Sequence, residues 1–353
     1  MHGAGRGPVG RRCYRPRVAM KDALLRGAAR VVLAGPLVRV VARRRQGGVD
    51  AALDRQVAAV LEAERLLRLP ALDSMAPVAA RGFAATGLSP LDARRAAMAE
   101  VIDTSVQGPA GPIPVRIFVP PSAGRDWMVY FHGGGGVIGS IDSAEATTRL
   151  LAAQTGCIVA SVGYRLGPEH RHPAAIDDAC AAYVALADRA TGGRIAVAGD
   201  SFGGYLAAQV DHRMQAGGRR PDLQVLLYPI VDMTLTSPSI ERLASGYLLT
   251  RSIMRWFREN YMNATDDRRA ASPMFWTELR GAAPCLIATA GYDPLVDEGD
   301  HYAELLRAAG TPVRHRRYPS LIHGFASLTG GVTAARAALD ELCRDIRELL
   351  ATG

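Results

Sequence analysis

The 353-residue chain is 48% hydrophobic and 6% aromatic, enough apolar side chain to fill one large α/β domain or two average ones. Its net charge of +8 is unevenly placed: twelve of the 42 basic residues but only one of the 34 acids lie in residues 1–45, so the head is strongly basic and the body close to neutral. A near-neutral body argues against a nucleic-acid partner. Five cysteines at unrelated spacings (Cys13, Cys157, Cys180, Cys285, Cys343) argue against a disulfide framework or a zinc site and fit a reducing, cytoplasmic setting.

In chain order, residues 1–19 read as a disordered basic tail, with Met20 an alternative start. Residues 23–45 are apolar but interrupted by Arg30, Pro36 and Arg39, which excludes a membrane-spanning helix, and no small-residue cleavage site follows. The segment reads as a helix packed on the body, or as an amphipathic one in peripheral contact with an anionic membrane. Residues 50–95 carry a helical period at Leu53, Val57, Val60, Ala63 and Leu67, broken by Pro70 and Pro77; together, residues 20–95 form an expected N-terminal helical cap segment.

From residue 96 the pattern changes. Residues 99–105 and 112–119 predict a hairpin around Gly108-Pro109-Ala110-Gly111. Apolar strands follow at 127–131, 157–162, 194–199, 223–228, 284–290 and 312–318, with helices at 143–155, 173–188, 202–216, 297–309 and 335–351. Such alternation predicts an α/β fold, a mostly parallel central sheet with helices on both faces. One interval departs from it: residues 230–272 hold no βα unit, only the amphipathic run YLLTRSIMRWFRENYM, and read as a helical cap insertion over the ligand-binding edge of the sheet.

Gly199-Asp200-Ser201-Phe202-Gly203 lies between a predicted strand and a predicted helix. A serine whose hydroxyl must stand clear of a cramped strand–helix bend needs neighbours without a Cβ two residues away on each side. His132-Gly133-Gly134-Gly135-Gly136 follows another strand; consecutive glycines let backbone N–H groups converge on an oxyanion. Gly134, Gly136 and Gly139 also spell a dinucleotide fingerprint, but no acid closes the next strand, and a phosphate loop would need a lysine before Ser140. A nucleophilic serine requires a base and an orienting acid, in the chain order serine, acid, histidine. Asp293, first off the strand ending CLIATAG, is preferred over Asp297 and Glu298; His323, in an apolar loop, is preferred over His315, which sits among Arg314, Arg316 and Arg317.

Through YFHGGGGVIGSIDS (130–143), YRLGPEHRHPAAIDDA (164–179), GDSFGG (199–204), DPLVDEG (293–299) and HGF (323–325), the chain resembles the hormone-sensitive-lipase-like branch of the α/β-hydrolases, the bacterial family IV esterases. The resemblance runs from about residue 99 to the end. It implies a cofactor-free carboxylester hydrolase for small-molecule esters of short to medium acyl chains. It further implies Ser201, Asp293 and His323 as catalytic triad, with Gly133, Gly134 and the Phe202 N–H as oxyanion hole. His132 would support the glycine loop, and some relatives form homodimers through the last strand and helix. Two alternatives stay open: a non-catalytic ligand-binding member, as plant gibberellin receptors are, and a hydrolase of amide, lactone or carbamate bonds. Two residues depart from the family pattern. Gly136 stands where a bulky aromatic residue is common, and Phe202 where alanine is usual, which leaves the shape of the acyl pocket open.

Overall fold

In a computed structural model of the chain, which describes residues 37–43, 51–68, 70–87 and 91–352, eight strands form one sheet in the order β1-β2-β4-β3-β5-β6-β7-β8. Strands β1 (Glu100–Gly108) and β2 (Gly111–Val119) make the expected hairpin, and β2 runs antiparallel to β4. The others, β3 (Trp127–Phe131), β4 (Ile158–Val162), β5 (Ile195–Asp200), β6 (Leu223–Leu227), β7 (Cys285–Tyr292) and β8 (Val313–Ile322), are parallel. Strand β8 runs four residues beyond its expected end. Pro319 lies within it, and the edge position tolerates a residue that cannot donate to a ladder.

The apolar strands are buried on both faces because alternate side chains enter two different cores. Met128, Tyr130, Ala198, Val225 and Leu227 pack with α4 (Glu145–Thr155) and α10 (Thr333–Thr352). Val129, Phe131, Val197 and Leu226 pack with α5 (Ala174–Ala187), α6 (Phe202–Met214) and α9 (Val296–Ala308). This is the expected α/β architecture.

The early helices divide their attachments. Helix α2 (Arg55–Leu67) starts at Asp54, whose carboxylate accepts from the Gln56 N–H at 2.8 Å, and it buries Val57, Ala58 and Leu61 in the core of α4 and α10. Pro77 opens a helix instead of ending one: it is the first residue of α3 (Pro77–Gly87), a position where its missing N–H costs nothing. Arg81 of α3 donates to the Val137 and Gly167 carbonyls at 2.8 and 2.7 Å and pairs with Glu169, fastening this helix to the glycine-rich loop. Of the head, only α1 (Leu37–Arg43) falls among the described residues, with Ala42 fully buried; the tail 1–19 and most of the apolar run 23–45 lie outside them. Among the described residues no helix is long and apolar enough to cross a membrane.

The 230–272 interval contains α7 (Pro238–Arg242) and α8 (Arg251–Tyr261). Helix α8 begins four residues after the start of the expected run, because the Thr250 hydroxyl caps the Ile253 N–H at 3.2 Å.

Candidate active site

Ser201 sits on the bend between β5 and α6 with φ 54° and ψ −115°, a conformation that costs a non-glycine residue energy and lifts its side chain clear of the backbone. The bend is tight enough to exclude neighbours with side chains. A Cβ at Gly199 would lie 2.2 Å from the Gly203 carbonyl carbon, and one at Gly203 would lie 1.9 Å from the Phe131 oxygen. Backbone bonds hold the strain in place, with the Ser201 N–H donating to Leu227 O at 2.8 Å and its own oxygen accepting from Ile230 at 3.3 Å.

The structure brings together the three residues expected to act in concert. His323 Nε2 is 3.0 Å from Ser201 Oγ, and its Nδ1 is 2.7 Å from Asp293 Oδ2. A carboxylate only accepts, so Nδ1 carries the proton and Nε2 is left as the acceptor for the serine hydroxyl. Asp293 is 1% exposed, and its other oxygen accepts from the Leu295 N–H at 2.8 Å. The Tyr228 ring meets the imidazole edge-on at 5.0 Å between centroids and fixes its plane. The rival residues lie in other networks. Asp297 pairs with Arg242, and Glu298 is fully buried under the Val231 and Asp232 N–H groups. His315 contacts Thr289 and Asp300 at 2.9 and 3.1 Å.

The glycine loop differs from expectation at one residue. The Gly133 N–H, expected to face an oxyanion, donates instead to Asp200 Oδ1 at 2.9 Å, and Tyr130 donates to the same oxygen at 2.6 Å. Gly134 and Gly135, next along, hold φ of 119° and 61°, and Gly135 borders the cleft at Ser201. The Phe202 N–H, at the first position of α6, lacks an intrahelical acceptor, as expected of an oxyanion donor. Asp200 thus anchors the loop, a role the sequence reading missed. Its signal was a charged residue ending an otherwise apolar strand. Beneath the loop, burial pushes the His132 pKa down to about 4, so its ring is neutral; it stacks on Tyr164 at 4.3 Å.

Gly136 and Phe202, the two departures from the family pattern, are neighbours in space. A Cβ at Gly136 would lie 2.7 Å from the tip of the Phe202 ring and 2.8 Å from Tyr261 Cδ2. Phe202, 1% exposed, packs edge-on against Tyr261 at 4.7 Å. The aromatic bulk has moved from one chain position to the other while remaining beside the same loop.

Above Ser201 opens a cleft of about 390 Å³, its mouth included, walled by Ile230, Met233, Leu249, Met254, Phe257 and Leu295. Arg258 is the one charged side chain among its lining residues. Serine, imidazole and buried carboxylate in hydrogen-bonded series, under an apolar cleft, define a serine hydrolase built on an α/β sheet.

Comparison with known proteins agrees. Residues 128–327 match the family described as alpha/beta hydrolase fold. The chain is 44% identical over 253 residues to the carboxylic ester hydrolase LipN of Mycobacterium tuberculosis, covering 67% of each chain. It is 38% identical over 227 residues to an ethyl acetate hydrolase of Pseudomonas putida, covering 60% of this chain and 71% of that one. Among solved structures, an α/β hydrolase enzyme from the metagenome of Lake Arreo, Spain, is 35% identical with a TM-score of 0.82, over 86% of this chain and 100% of that one. The hyperthermophilic esterase of Pyrobaculum calidifontis is 33% identical with a TM-score of 0.74, over 81% and 96%. The chain belongs to the α/β-hydrolase fold family, in its hormone-sensitive-lipase-like branch of family IV esterases, and is a carboxylic ester hydrolase.

Proposed function

We propose that the chain hydrolyses short- to medium-chain carboxylic esters through an acyl-enzyme on Ser201. The observation that carries this reading is the series Ser201–His323–Asp293, with contacts of 3.0 and 2.7 Å, opening into an apolar cleft. As Oγ attacks the ester carbonyl carbon, its proton passes to His323 Nε2, and Asp293 holds the resulting imidazolium in place. The negative charge on the carbonyl oxygen is met by the N–H groups of Gly134, Gly135 and Phe202, Gly133 being committed to Asp200. Collapse of the tetrahedral adduct breaks the ester C–O bond, and the alcohol leaves with the proton from His323. Water, deprotonated by the same imidazole, then releases the carboxylic acid.

In this reading the described helices of segment 20–95 and the insertion at 230–272 form the cap, which excludes water and limits acyl length. Two finer readings concern partners. Val40, Leu66, Leu67 and Val78 are exposed on the early helices of a chain with a basic head, which favours peripheral contact with an anionic membrane. The outer edge of β8 favours pairing with a second copy, for which light scattering is the check.

Ser201→Ala should lower turnover of p-nitrophenyl butyrate by about 10⁴-fold or more, and Asp293→Asn by on the order of 10⁴ through the wrong histidine tautomer. A silent Asp293→Asn beside a crippled Asp297→Asn would overturn the acid assignment. An acetate-to-palmitate series, run with and without residues 1–45, tests both the acyl range and the membrane reading. Activity that rises toward palmitate only with the head present would refute the short-chain reading.

A further inference from the structure

The cleft wall is apolar except at Arg258, on the face of α8 turned toward Ser201. A cation in such a wall is costly to keep there unless something pairs with it. Among the described residues Arg258 has no ion-pair partner. Among the described residues its one hydrogen bond runs from Nη1 to the Thr234 carbonyl at 3.1 Å, and its Nε is buried with no acceptor. Of the two acids that act on it, Glu259 is exposed, and the two oxygens of Asp232 accept from the N–H and hydroxyl groups of Thr234 and Thr236. The nearby Arg255 and Arg268 add to the positive field, offset in part by Asp232 and by Glu259 on the same helix. The cleft that holds Ser201 therefore presents to a ligand a half-buried guanidinium without a counter-ion.

We infer that Arg258 is a specificity determinant that selects esters carrying a carboxylate, read by a charge-assisted hydrogen bond from the guanidinium. This rests on the esterase reading and narrows its substrate class. A carboxylate matches the donor geometry of arginine and pairs with the cation, whereas a purely hydrocarbon ester leaves it unpaired against apolar surface. A few polar groups placed in an apolar cleft are what orient ligands in such sites. The carboxylate can sit on either side of the scissile bond. A half-ester of a dicarboxylic acid carries it on the acyl part, and an ester of a hydroxy acid carries it on the alcohol part.

The test compares kcat/KM for monoethyl succinate (acyl-side carboxylate) and 3-acetoxypropanoate (alcohol-side carboxylate) with their neutral methyl esters. These are measured on the full chain, on Arg258→Met and on Arg258→Lys. The expected result is that the intact chain prefers at least one acid over its neutral counterpart. That acid-to-neutral ratio should fall about tenfold to a hundredfold in Arg258→Met and recover in part in Arg258→Lys. A merely structural Arg258 would lower both rates together and leave the ratio unchanged. A ratio within about twofold of the intact chain's in Arg258→Met, or an intact chain that disfavours both acids, overturns the proposal. Fluorophosphonate labelling of Ser201 reports the esterase reading separately. Calorimetric binding of the two acids to Ser201→Ala, with and without Arg258→Met, answers the Arg258 question without turnover: Arg258-dependent binding supports it, and unchanged affinity refutes it.

Discussion

Replacing Phe202 by alanine separates what its backbone does from what its ring does. The backbone N–H proposed as an oxyanion donor is retained, so Ser201 should still label with a fluorophosphonate. The ring is 1% exposed and packed at 4.7 Å on Tyr261 and 5.2 Å on Tyr205, so its loss should cost about 3–5 kcal/mol. For a chain of this size that lowers the melting temperature by roughly 4–7 °C. The vacated space borders the cleft, where a longer substrate can fill it. Each extra buried methylene is worth about 0.8 kcal/mol, or roughly fourfold in kcat/KM. A p-nitrophenyl series from acetate to octanoate should therefore move its optimum toward longer acyl groups by about one or two methylenes. Gly136→Ala gives an internal control. In the parent it drives a Cβ to 2.7 Å from the Phe202 ring, a clash that Phe202→Ala removes while the 2.8 Å approach to Tyr261 Cδ2 and the strain of φ 73° remain. The double variant should be more stable than the two single losses predict, by about 1 kcal/mol or more. An unchanged acyl profile together with strictly additive losses would refute the view that these two positions share one space and set acyl length.

Two further outcomes follow from the site. Asp200→Asn should lower kcat with little change in KM, because a neutral amide oxygen accepts from Tyr130 and Gly133 more weakly than a carboxylate oxygen; an unchanged kcat would show the loop to be anchored elsewhere. The His132 pKa, lowered from 6.5 to about 4 by burial, means the unfolded chain binds a proton that the folded chain refuses between those values. Its contribution to stability is therefore fully present above about pH 6.5 and is lost as pH falls toward 4, on the order of 3 kcal/mol in all, in urea melts. A His132→Gln chain with the same acid slope would contradict this.

The linear order of residues was enough for the sheet, because strands buried on both faces are written as near-continuous apolar runs; β3 begins and ends where that run does, at Trp127 and Phe131. The strand–bend–helix at Ser201 was equally readable, since its glycines are demanded by contacts within a few residues, and Asp293 and His323 were placed by their position just past strand ends. Other features depend on which distant segments meet. Gly133 and Asp200 are 67 positions apart, so no local pattern could say that the first glycine of the loop is tied down. The meaning of the Gly136 and Phe202 departures likewise appeared only when the ring was found lying against the bare backbone. Arg258 reads along the chain as the polar side of an amphipathic helix; only docking of that helix against the glycine loop, through Phe257 at Gly135 and Tyr261 at Gly136, makes its guanidinium the one charge among the cleft's lining residues. Short-range sterics and burial periodicity leave marks at fixed spacings along a chain, whereas pairings across the fold leave none.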